Sequence, residues 1–198
     1  MERRDLKDYL RADLYRYVGA KAICYFLKAL SPSLPAFRYT YLLRHASVFP
    51  KDSIRGFLYR VLLLHYSYKY GFQIQPNTKI GKGLYIGHRG TVVVNGLAEL
   101  GDNCTITHLV TIGQANRGER KGCPKIGNRV WIGAGAVVAG KIVIGDNVLI
   151  APNSYVNFDV PSDSLVIGNP AVVKQDPNAT EGYVNYAFCE SYEDMTEK

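Results

Sequence analysis

The stretch Ile126-Gly-Asn-Arg-Val-Trp-Ile132-Gly-Ala-Gly-Ala-Val-Val138 decides the fold, because an aliphatic residue returns at every sixth position. Neither an α-helix nor an alternating strand has this period. A hexapeptide repeat is typical of a parallel β-helix, in which each six-residue unit forms one face of a triangular prism and the aliphatic residue points inward. The same period is found at Ile74, Ile80, Ile86, Val92, Leu100, Ile106, Ile112, Ile144, Ile150 and Val156.

Glycine or another small residue usually follows the aliphatic one, as at Gly81 and Gly127, and we expect it to relax the corner of the prism. The period is interrupted twice. The spacing from Val92 to Leu100 is too long by two residues, which predicts a bulge near Asn95-Gly96. Between Ile112 and Ile126, about eight extra residues must leave the prism as a polar, basic loop within 113–125. Long insertions into a regular solenoid tend to be functional.

The chain divides into three parts. Residues 1–70 contain little glycine and show helical spacing, with breaks at Ser31–Pro35 and Phe49–Ser53, and Asp52 or Ser53 can cap a helix that ends near residue 70. We expect this region to cover the open first coil and to contact other subunits. Residues 71–175 form the β-helix domain, whose coils end near 159–162. The acidic tail, 176–198, is expected to be solvated and partly disordered.

Composition narrows the class of protein. The chain has 198 residues, 47% of them hydrophobic and 21% charged, which indicates a globular protein. Its four cysteines (Cys24, Cys104, Cys123 and Cys189) lack zinc-ligand spacing, so we expect a reduced, cytoplasmic protein without a metal site. No signal peptide or membrane span is predicted. A net charge of +7 suits an anionic ligand such as a nucleotide. Nucleic acid is the competing interpretation, but no nucleic-acid motif accompanies the dispersed basic residues.

Two histidines stand out at the predicted corners. His88 follows Ile86 by two residues, and His108 follows Ile106 by two. With the two-residue bulge included, the imidazoles should stack on adjacent coils, about 5 Å apart at the backbone. Histidine is the commonest general base because it titrates near neutrality. Spacing alone leaves a catalytic role and a plain surface position equally open.

Several motifs resemble the serine acetyltransferase family of hexapeptide acyltransferases, which includes shorter saccharide O-acetyltransferases. They are Ile80-Gly-Lys-Gly-Leu-Tyr-Ile-Gly-His-Arg-Gly-Thr-Val-Val-Val-Asn-Gly96, Trp131-Ile-Gly-Ala-Gly-Ala136 and Gly168-Asn-Pro-Ala171. The resemblance covers residues 70 to 174. It implies a left-handed parallel β-helix, homotrimers that can pair into hexamers, sites in the grooves between prisms, and acetyl-CoA as the donor.

The resemblance also implies roles for individual residues. His88 matches the catalytic base, which deprotonates an acceptor hydroxyl for direct transfer without an acyl-enzyme. Gly113, Ala134 and Pro152 match the edge that contacts CoA. Lys141 and Lys174 are candidates for binding its phosphates. Trp131 is expected to pack against the loop or this edge.

Departures from the family pattern concern the acceptor. Gln73 and Gln75 replace an Asp and a His, Gly87 replaces an Asp, and Lys121-Gly-Cys-Pro124 replaces Asp-Arg-His-Pro. The charged groups expected to bind a zwitterionic serine are thus largely missing. We expect an acceptor site built from Gln73, Gln75, Arg89, His108 and Cys123.

Three hypotheses follow for function. In the first two, the protein is an acetyl-CoA-dependent O-acetyltransferase whose acceptor is either serine or the hydroxyl of a sugar in a surface-polysaccharide precursor. In the third, which belongs to another class, it is a catalytically silent trimeric scaffold that binds a ligand. A nucleophilic thiol at Cys123 is a further hypothesis, against which stands the absence of a partnering histidine in its hexapeptide. The C-terminal Thr196-Glu-Lys198 lacks the Ile with which some members dock into a sulfhydrylase.

Overall fold

The structure, a computed structural model, describes residues 3–19 and 25–189. Four α-helices precede a long array of short strands. After a single 3-10 turn at Arg3–Asp5, the helices are α1 (Leu6–Val18), α2 (Tyr25–Leu30), α3 (Pro35–Val48) and α4 (Ile54–Tyr70). Of the two predicted caps of α4, the structure selects Ser53, whose hydroxyl accepts a hydrogen bond from Gly56 N at 3.0 Å. None of the helices in the described ranges is long and apolar enough to cross a membrane.

The strands form the three faces of a parallel β-helix, which confirms the predicted fold class. Sheet A contains β1, β4, β7, β10 and β13, sheet B contains β2, β5, β8 and β11, and sheet C contains β3, β6, β9, β12 and β14, with β15 antiparallel to β14. The bounds are β1 Phe72–Ile74, β2 Lys79–Ile80, β3 Tyr85–Ile86, β4 Val92–Val94, β5 Glu99–Leu100, β6 Thr105–Ile106, β7 Thr111–Gly113, β8 Lys125–Ile126, β9 Trp131–Ile132, β10 Val137–Ala139, β11 Val143–Ile144, β12 Val148–Ile150, β13 Tyr155–Val156, β14 Ser164–Gly168 and β15 Ala171–Gln175.

The core is a set of aliphatic columns inside the prism. Ile86, Ile106, Ile132 and Ile150 are fully buried at equivalent positions of successive coils. The column continues into Val166 of β14, so the prediction that the coils end near 159–162 is wrong. The repeat places side chains of similar size above one another, which fills the interior with closely packed aliphatic groups.

The glycine after each aliphatic residue has a different role from the one predicted. A Cβ on Gly81 would lie 2.6 Å from the carbonyl carbon of Gly101, and one on Gly101 would lie 2.7 Å from that of Gly127. At these two positions glycine is therefore required because successive coils approach closely, whereas a Cβ on Gly87 or Gly113 would have room, with nearest atoms at 3.6 and 3.7 Å. The corner itself turns two residues further on, where Gly83, Asn103 and equivalent residues have positive φ.

The two-residue insertion is also in a different place from the predicted Asn95-Gly96. Ile74 pairs with Val94, and Val94 pairs with Ile112, so the extra residues lie between Ile86 and Val94. Val92 and Val94 are both buried because they point to the same side of β4. The insertion lengthens the corner that carries His88.

The helical region caps the exposed strand edges of the first coil with polar side chains. On sheet A, the Tyr39 hydroxyl accepts from Ile74 N at 3.2 Å and donates to Phe72 O at 3.2 Å. On sheet C, the Tyr17 hydroxyl accepts from Ile86 N at 2.9 Å. An open sheet edge otherwise leaves buried backbone groups unpaired.

A buried ion pair caps sheet B. Arg44 donates to both carboxylate oxygens of Asp13, at 2.8 and 3.1 Å, and to the carbonyls of Ile80 and Gly81. Asp13 in turn accepts from Leu84 N at 2.9 Å. These contacts join α1 and α3 to the prism, as expected of a region that covers the first coil.

The first part of the C-terminal tail is ordered on the prism, so the prediction of a solvated extension is wrong for residues 176–189. Thr180 donates to Asn147 Oδ1, and the amide side chain of Asn103 makes two hydrogen bonds with the backbone of Phe188. Trp131 packs edge-on against Tyr183 of the tail, with ring centroids 4.9 Å apart. The acidic residues from Glu190 onward lie outside the described residues, as do residues 20–24 of the N-terminal region for which helical spacing is predicted.

Candidate functional site

His88 lies on the lengthened corner between β3 and β4, where its side chain is exposed. Its ring meets that of His108 edge-on, with centroids 5.4 Å apart and planes at 81°. The predicted stacking of the two histidines on adjacent coils is therefore confirmed. The geometry holds the His88 imidazole at one position while leaving it accessible to a ligand.

Gly90 allows the lengthened corner to lie close to His108. Its φ of +140° is a conformation that favours glycine, and a Cβ there would lie 3.2 Å from the Cβ of His108. The corner is fixed from the other side by a 3.2 Å hydrogen bond from Gly90 N to Tyr70 O, at the end of α4. The helical region thus helps to position the corner that carries His88.

His108 contributes a buried polar atom beside the His88 ring. Its Nδ1 has no hydrogen-bond partner within the described ranges of the chain. A buried, unpaired ring nitrogen is costly unless water or a ligand satisfies it. This atom is consistent with the predicted place of His108 in an acceptor site.

A depression of about 370 Å³ opens in front of His88. Its walls are the first turn of α3, from Leu34 to Ala36, the corner with His88 and Arg89, and the rings of Tyr17 and Tyr85. Among the described residues, none of those lining it is acidic, although Arg89 supplies a cation. The sequence between Asp52 and Glu99 contains no Asp or Glu at all.

Gln73 and Gln75 line another depression, of about 450 Å³, between β1 and α4. Both side chains are exposed, and Thr91, just before β4, lines the same depression. Within one subunit, the structure does not place the two glutamines in the depression of His88. The predicted acceptor residues therefore lie in three places: Arg89 and His108 beside His88, the two glutamines in this second depression, and Cys123 on the β7–β8 loop.

The predicted loop joins β7 to β8 and forms a short hairpin, with Ala115 and Gly122 paired. Arg120 anchors it by an ion pair to Asp159 at 3.3 Å and by its carbonyl, which accepts from Lys141 N at 2.8 Å. The hydrogen bond from Val143 N lowers the pKa of the exposed Asp159 carboxyl, and the ion pair with Arg120 adds to this. The loop lies at the end of the sheet A strands, whereas His88 lies before their start. Within a single prism, the loop and His88 therefore lie at opposite edges of sheet A.

Cys123 is half-buried at the end of this loop and packs against the aliphatic core. Its Sγ lies 3.8 Å from Gln114 Oε1. Burial raises the pKa of the thiol, which disfavours the thiolate needed for nucleophilic attack. In the described ranges, no group of three His, Cys, Asp or Glu side chains could hold a metal ion.

The residues predicted to contact CoA lie on two corners of the prism. Gly113 and Lys141 lie after sheet A, beneath the loop, where Gly140 N donates to Gly113 O at 3.3 Å. Ala134 and Pro152 lie before sheet A, on adjacent coils. Lys174 is exposed on β15.

Sequence analysis missed the contribution of Tyr17 and Tyr85 to the site. In the sequence, Tyr17 shows only the helical spacing of the N-terminal region, and Tyr85 only precedes an inward isoleucine. Their rings lie 4.6 Å apart, and burial raises the pKa of the Tyr17 phenol, which keeps it a hydrogen-bond donor. Their position beside His88 depends on how α1 docks on the prism, which no local pattern encodes.

Comparison with known proteins places this geometry in a family. Residues 123–157 match the model described as bacterial transferase hexapeptide (six repeats). A serine acetyltransferase of Helicobacter pylori is 45% identical over 101 residues, which cover 51% of this chain and 59% of the relative. The soybean serine acetyltransferase complexed with serine superposes with a TM-score of 0.70 at 32% identity, covering 86% of this chain and 70% of that one.

The chain belongs to the serine acetyltransferase family. A further family structure, the Brucella abortus enzyme in complex with coenzyme A, is 29% identical with a TM-score of 0.71, and the match covers 88% of this chain and 69% of that one. The chain spans about 59% of the length of the H. pylori relative.

Proposed function

We propose that the protein is an acetyl-CoA-dependent O-acetyltransferase with His88 as its general base. The observation that carries the proposal is the exposed imidazole, held by the ring of His108 at 5.4 Å and open to a depression of about 370 Å³. Histidine in such a position can accept a proton from a hydroxyl near neutral pH. Family membership supplies the reaction class.

The proposed reaction is a direct transfer. His88 accepts the proton of the acceptor hydroxyl while the oxygen attacks the thioester carbonyl of acetyl-CoA. The tetrahedral intermediate then collapses, the C–S bond breaks, and the imidazolium returns its proton to the CoA sulfur. Backbone N–H groups that line the groove are suited to stabilising the oxyanion.

The edges of sheet A fit the requirements of CoA. A Cβ on Gly113 would meet only Thr111 Cγ2, at 3.7 Å, so the missing side chain leaves the backbone open to a ligand. Exposed Lys141 lies beside it and is suited to a phosphate. We propose that Ala134, Pro152 and Lys174 of the other corner contribute from the same or a neighbouring prism.

We also propose that the active form is a homotrimer. His88 and the β7–β8 loop lie at opposite edges of sheet A, so a neighbouring copy is needed to bring a loop against His88. The outer face of α4 supports assembly, because Ile54, Phe57, Leu58 and Val61 are all exposed there, Ile54 by 81%. An apolar face of this kind is typical of an interaction surface.

Serine is the acceptor suggested by the relatives, one of which is described in complex with serine. A sugar hydroxyl is the second candidate, and the lining of the His88 depression favours it. An amino acid carries an ammonium group, which needs an anionic partner, and no carboxylate lines this depression among the described residues. Gln73 and Gln75 likewise offer only neutral amides.

Release of free thiol from acetyl-CoA tests the proposal, with serine and a panel of sugars as acceptors. We expect turnover that depends on an added acceptor. Turnover on serine alone would show that neutral residues can build an amino-acid site. A protein that neither binds CoA by calorimetry nor releases thiol with any acceptor would instead be the silent scaffold.

A further inference from the structure

A smaller depression of about 200 Å³ adjoins that of His88. It lies between α1, the first coil and the ordered part of the C-terminal tail. Six residues line it: Arg16, Tyr17, Tyr85, Tyr183, Asn185 and Tyr186. Four of the six are tyrosines, an unusual concentration for a surface that carries no assigned role.

The two depressions share two lining residues, and together they are called the groove below. Tyr17 and Tyr85, whose ring centroids are 4.6 Å apart, line both of them. His88 lies at one end of the groove, and Tyr183 and Tyr186 lie at the other. The smaller depression is below the size range of about 300–1,000 Å³ that is usual for independent ligand sites. It is therefore better suited to extend the His88 depression than to act alone.

The tyrosines of the tail are held in place but left open to solvent. Tyr183 packs edge-on against Trp131, and Tyr186 against Tyr15 at 6.1 Å. The backbone between them is fixed by a 2.9 Å hydrogen bond from Arg16 Nε to Asn185 O. Even so, Tyr183 is 52% exposed and Tyr186 is 55% exposed. About half of the surface of each residue is therefore accessible to a ligand.

The electrostatics of the smaller depression point to an uncharged ligand. Arg16 is the only charged residue among the described ones that line it, and its guanidinium already donates to Asn185 O, Gly83 O, Asn103 O and Thr105 Oγ1. No acidic residue lines the depression in the described part of the chain. What remains for a ligand is aromatic surface and the side-chain amide of Asn185.

We propose that this groove binds a saccharide of two or more sugar units, one of which presents its hydroxyl to His88. Pyranose rings have apolar C–H faces that stack on aromatic side chains, while their hydroxyls remain free to bond to amides and water. Neighbouring sugar units would occupy the two depressions in turn. This inference rests on the proposed acetyl transfer and selects the sugar over serine as its acceptor.

The position of the groove argues against the adenine ring of CoA as its occupant. Tyr17 and Tyr85 lie at the first coil, beneath the helical region. Ala134 and Pro152, which match the CoA-contacting edge, lie on later coils. An aromatic surface at the first coil is therefore suited to the acceptor side of the reaction.

The test is a printed array of bacterial surface oligosaccharides and their component monosaccharides, probed with the labelled full chain. Calorimetry then measures the affinity for each glycan that binds. We expect at least one glycan of two or more units to bind, and to bind more tightly than its terminal monosaccharide. Trp131, the single tryptophan of the chain, should change its fluorescence on binding because it contacts Tyr183.

Substitutions distinguish ligand binding by the two tail tyrosines from a merely structural role of these residues. Tyr183→Ala and Tyr186→Ala should each weaken glycan binding by about tenfold, whereas Tyr183→Phe keeps the ring and the affinity. Tyr155→Ala, an exposed tyrosine on sheet A, is the control that should bind as the wild type does.

The outcomes separate this inference from the proposed function. Three results would contradict saccharide binding in the groove: absence of glycan binding, equal binding of monosaccharides, or wild-type affinity in both alanine variants. They would do so even if thiol release with serine confirmed acetyl transfer. If glycan binding is lost in Tyr183→Ala but no thiol is released from acetyl-CoA, saccharide binding in the groove is confirmed and the proposed acetyl transfer is contradicted.

Discussion

At the scale of single residues, the site depends on ring contacts more than on charged partners. The ring of His88 lies against that of His108, and the corner that carries it is fixed by the hydrogen bond from Gly90 N to Tyr70 O. No acidic residue lines its depression in the described part of the chain. Without a carboxylate partner, an imidazolium formed during the reaction is stabilised mainly by its surroundings and by solvent.

Cys123 should have no covalent role in catalysis. Cys123→Ser is expected to keep turnover within about twofold of the wild type, because burial raises the pKa of the thiol and direct transfer needs no acyl-enzyme. The alkylation rate of Cys123 with iodoacetamide at about pH 8 should lie below that of glutathione, since less thiolate is present. Mass spectrometry measures the labelling. Loss of turnover in Cys123→Ser, with an acetylated thiol trapped in the wild type, would contradict direct transfer.

The stacking of the two histidines could be predicted because any insertion between Ile86 and Ile106 leaves their registration intact. The position predicted for the two-residue insertion is wrong for a physical reason. Val92, Val93 and Val94 form a uniform run, and both Val92 and Val94 point inward, so a count of six from Ile86 selects the wrong valine. Only the pairing of Ile74 with Val94 resolves the register.

At the scale of elements, the helices act as a substitute for a missing coil. Tyr39, Tyr17 and Arg44 each satisfy backbone groups on one of the three strand edges that the first coil leaves open. Because Tyr17 also forms a wall of the site, the docking of α1 links the stability of the cap to the shape of the groove.

Loss of the buried ion pair should destabilise the protein strongly. Asp13→Asn leaves Arg44 buried without its counter-charge, and we expect a decrease of about 3–5 kcal/mol in the free energy of unfolding. Urea denaturation measures this change. Glu99→Gln, which removes the exposed pair with Lys79, is the matched control and should leave the unfolding midpoint nearly unchanged. A similar small effect in both variants would contradict the role of the pair in capping sheet B.

The helical character of the N-terminal region and the extruded loop could be predicted from periodicity and its interruption. The fold of the tail on the prism could not. Its attachment depends on single side chains, such as Asn103 and Asn147, which bond to backbone and hydroxyl groups many residues away. The composition of the tail indicates only a polar, acidic segment, and it does not predict which groups of the prism the tail bonds to.

At the scale of the whole molecule, the two halves of the proposed site lie at opposite edges of sheet A, and assembly is what should unite them. The loop anchored by Arg120 and the corner of His88 face different directions on one prism. The exposed apolar face of α4 is the surface through which we expect copies to associate.

Sedimentation velocity tests this assembly. The wild type should sediment as three copies of the 22.0 kDa chain, whereas Val61→Glu places a charge in the apolar face and should give monomers with turnover lowered about tenfold or more. Lys51→Glu, an exposed charge change just before α4, is the control and should remain trimeric. A monomeric wild type with full turnover would contradict a site shared between subunits.

The central claim is that His88 is the general base of acetyl transfer. Its most direct test is the rate of thiol release from acetyl-CoA, with the acceptor that the wild type prefers, in the wild type and in His88→Ala. The account predicts that the variant binds CoA normally by calorimetry and keeps its thermal stability, while kcat falls by about 100-fold or more. Near-normal turnover in His88→Ala would contradict the account.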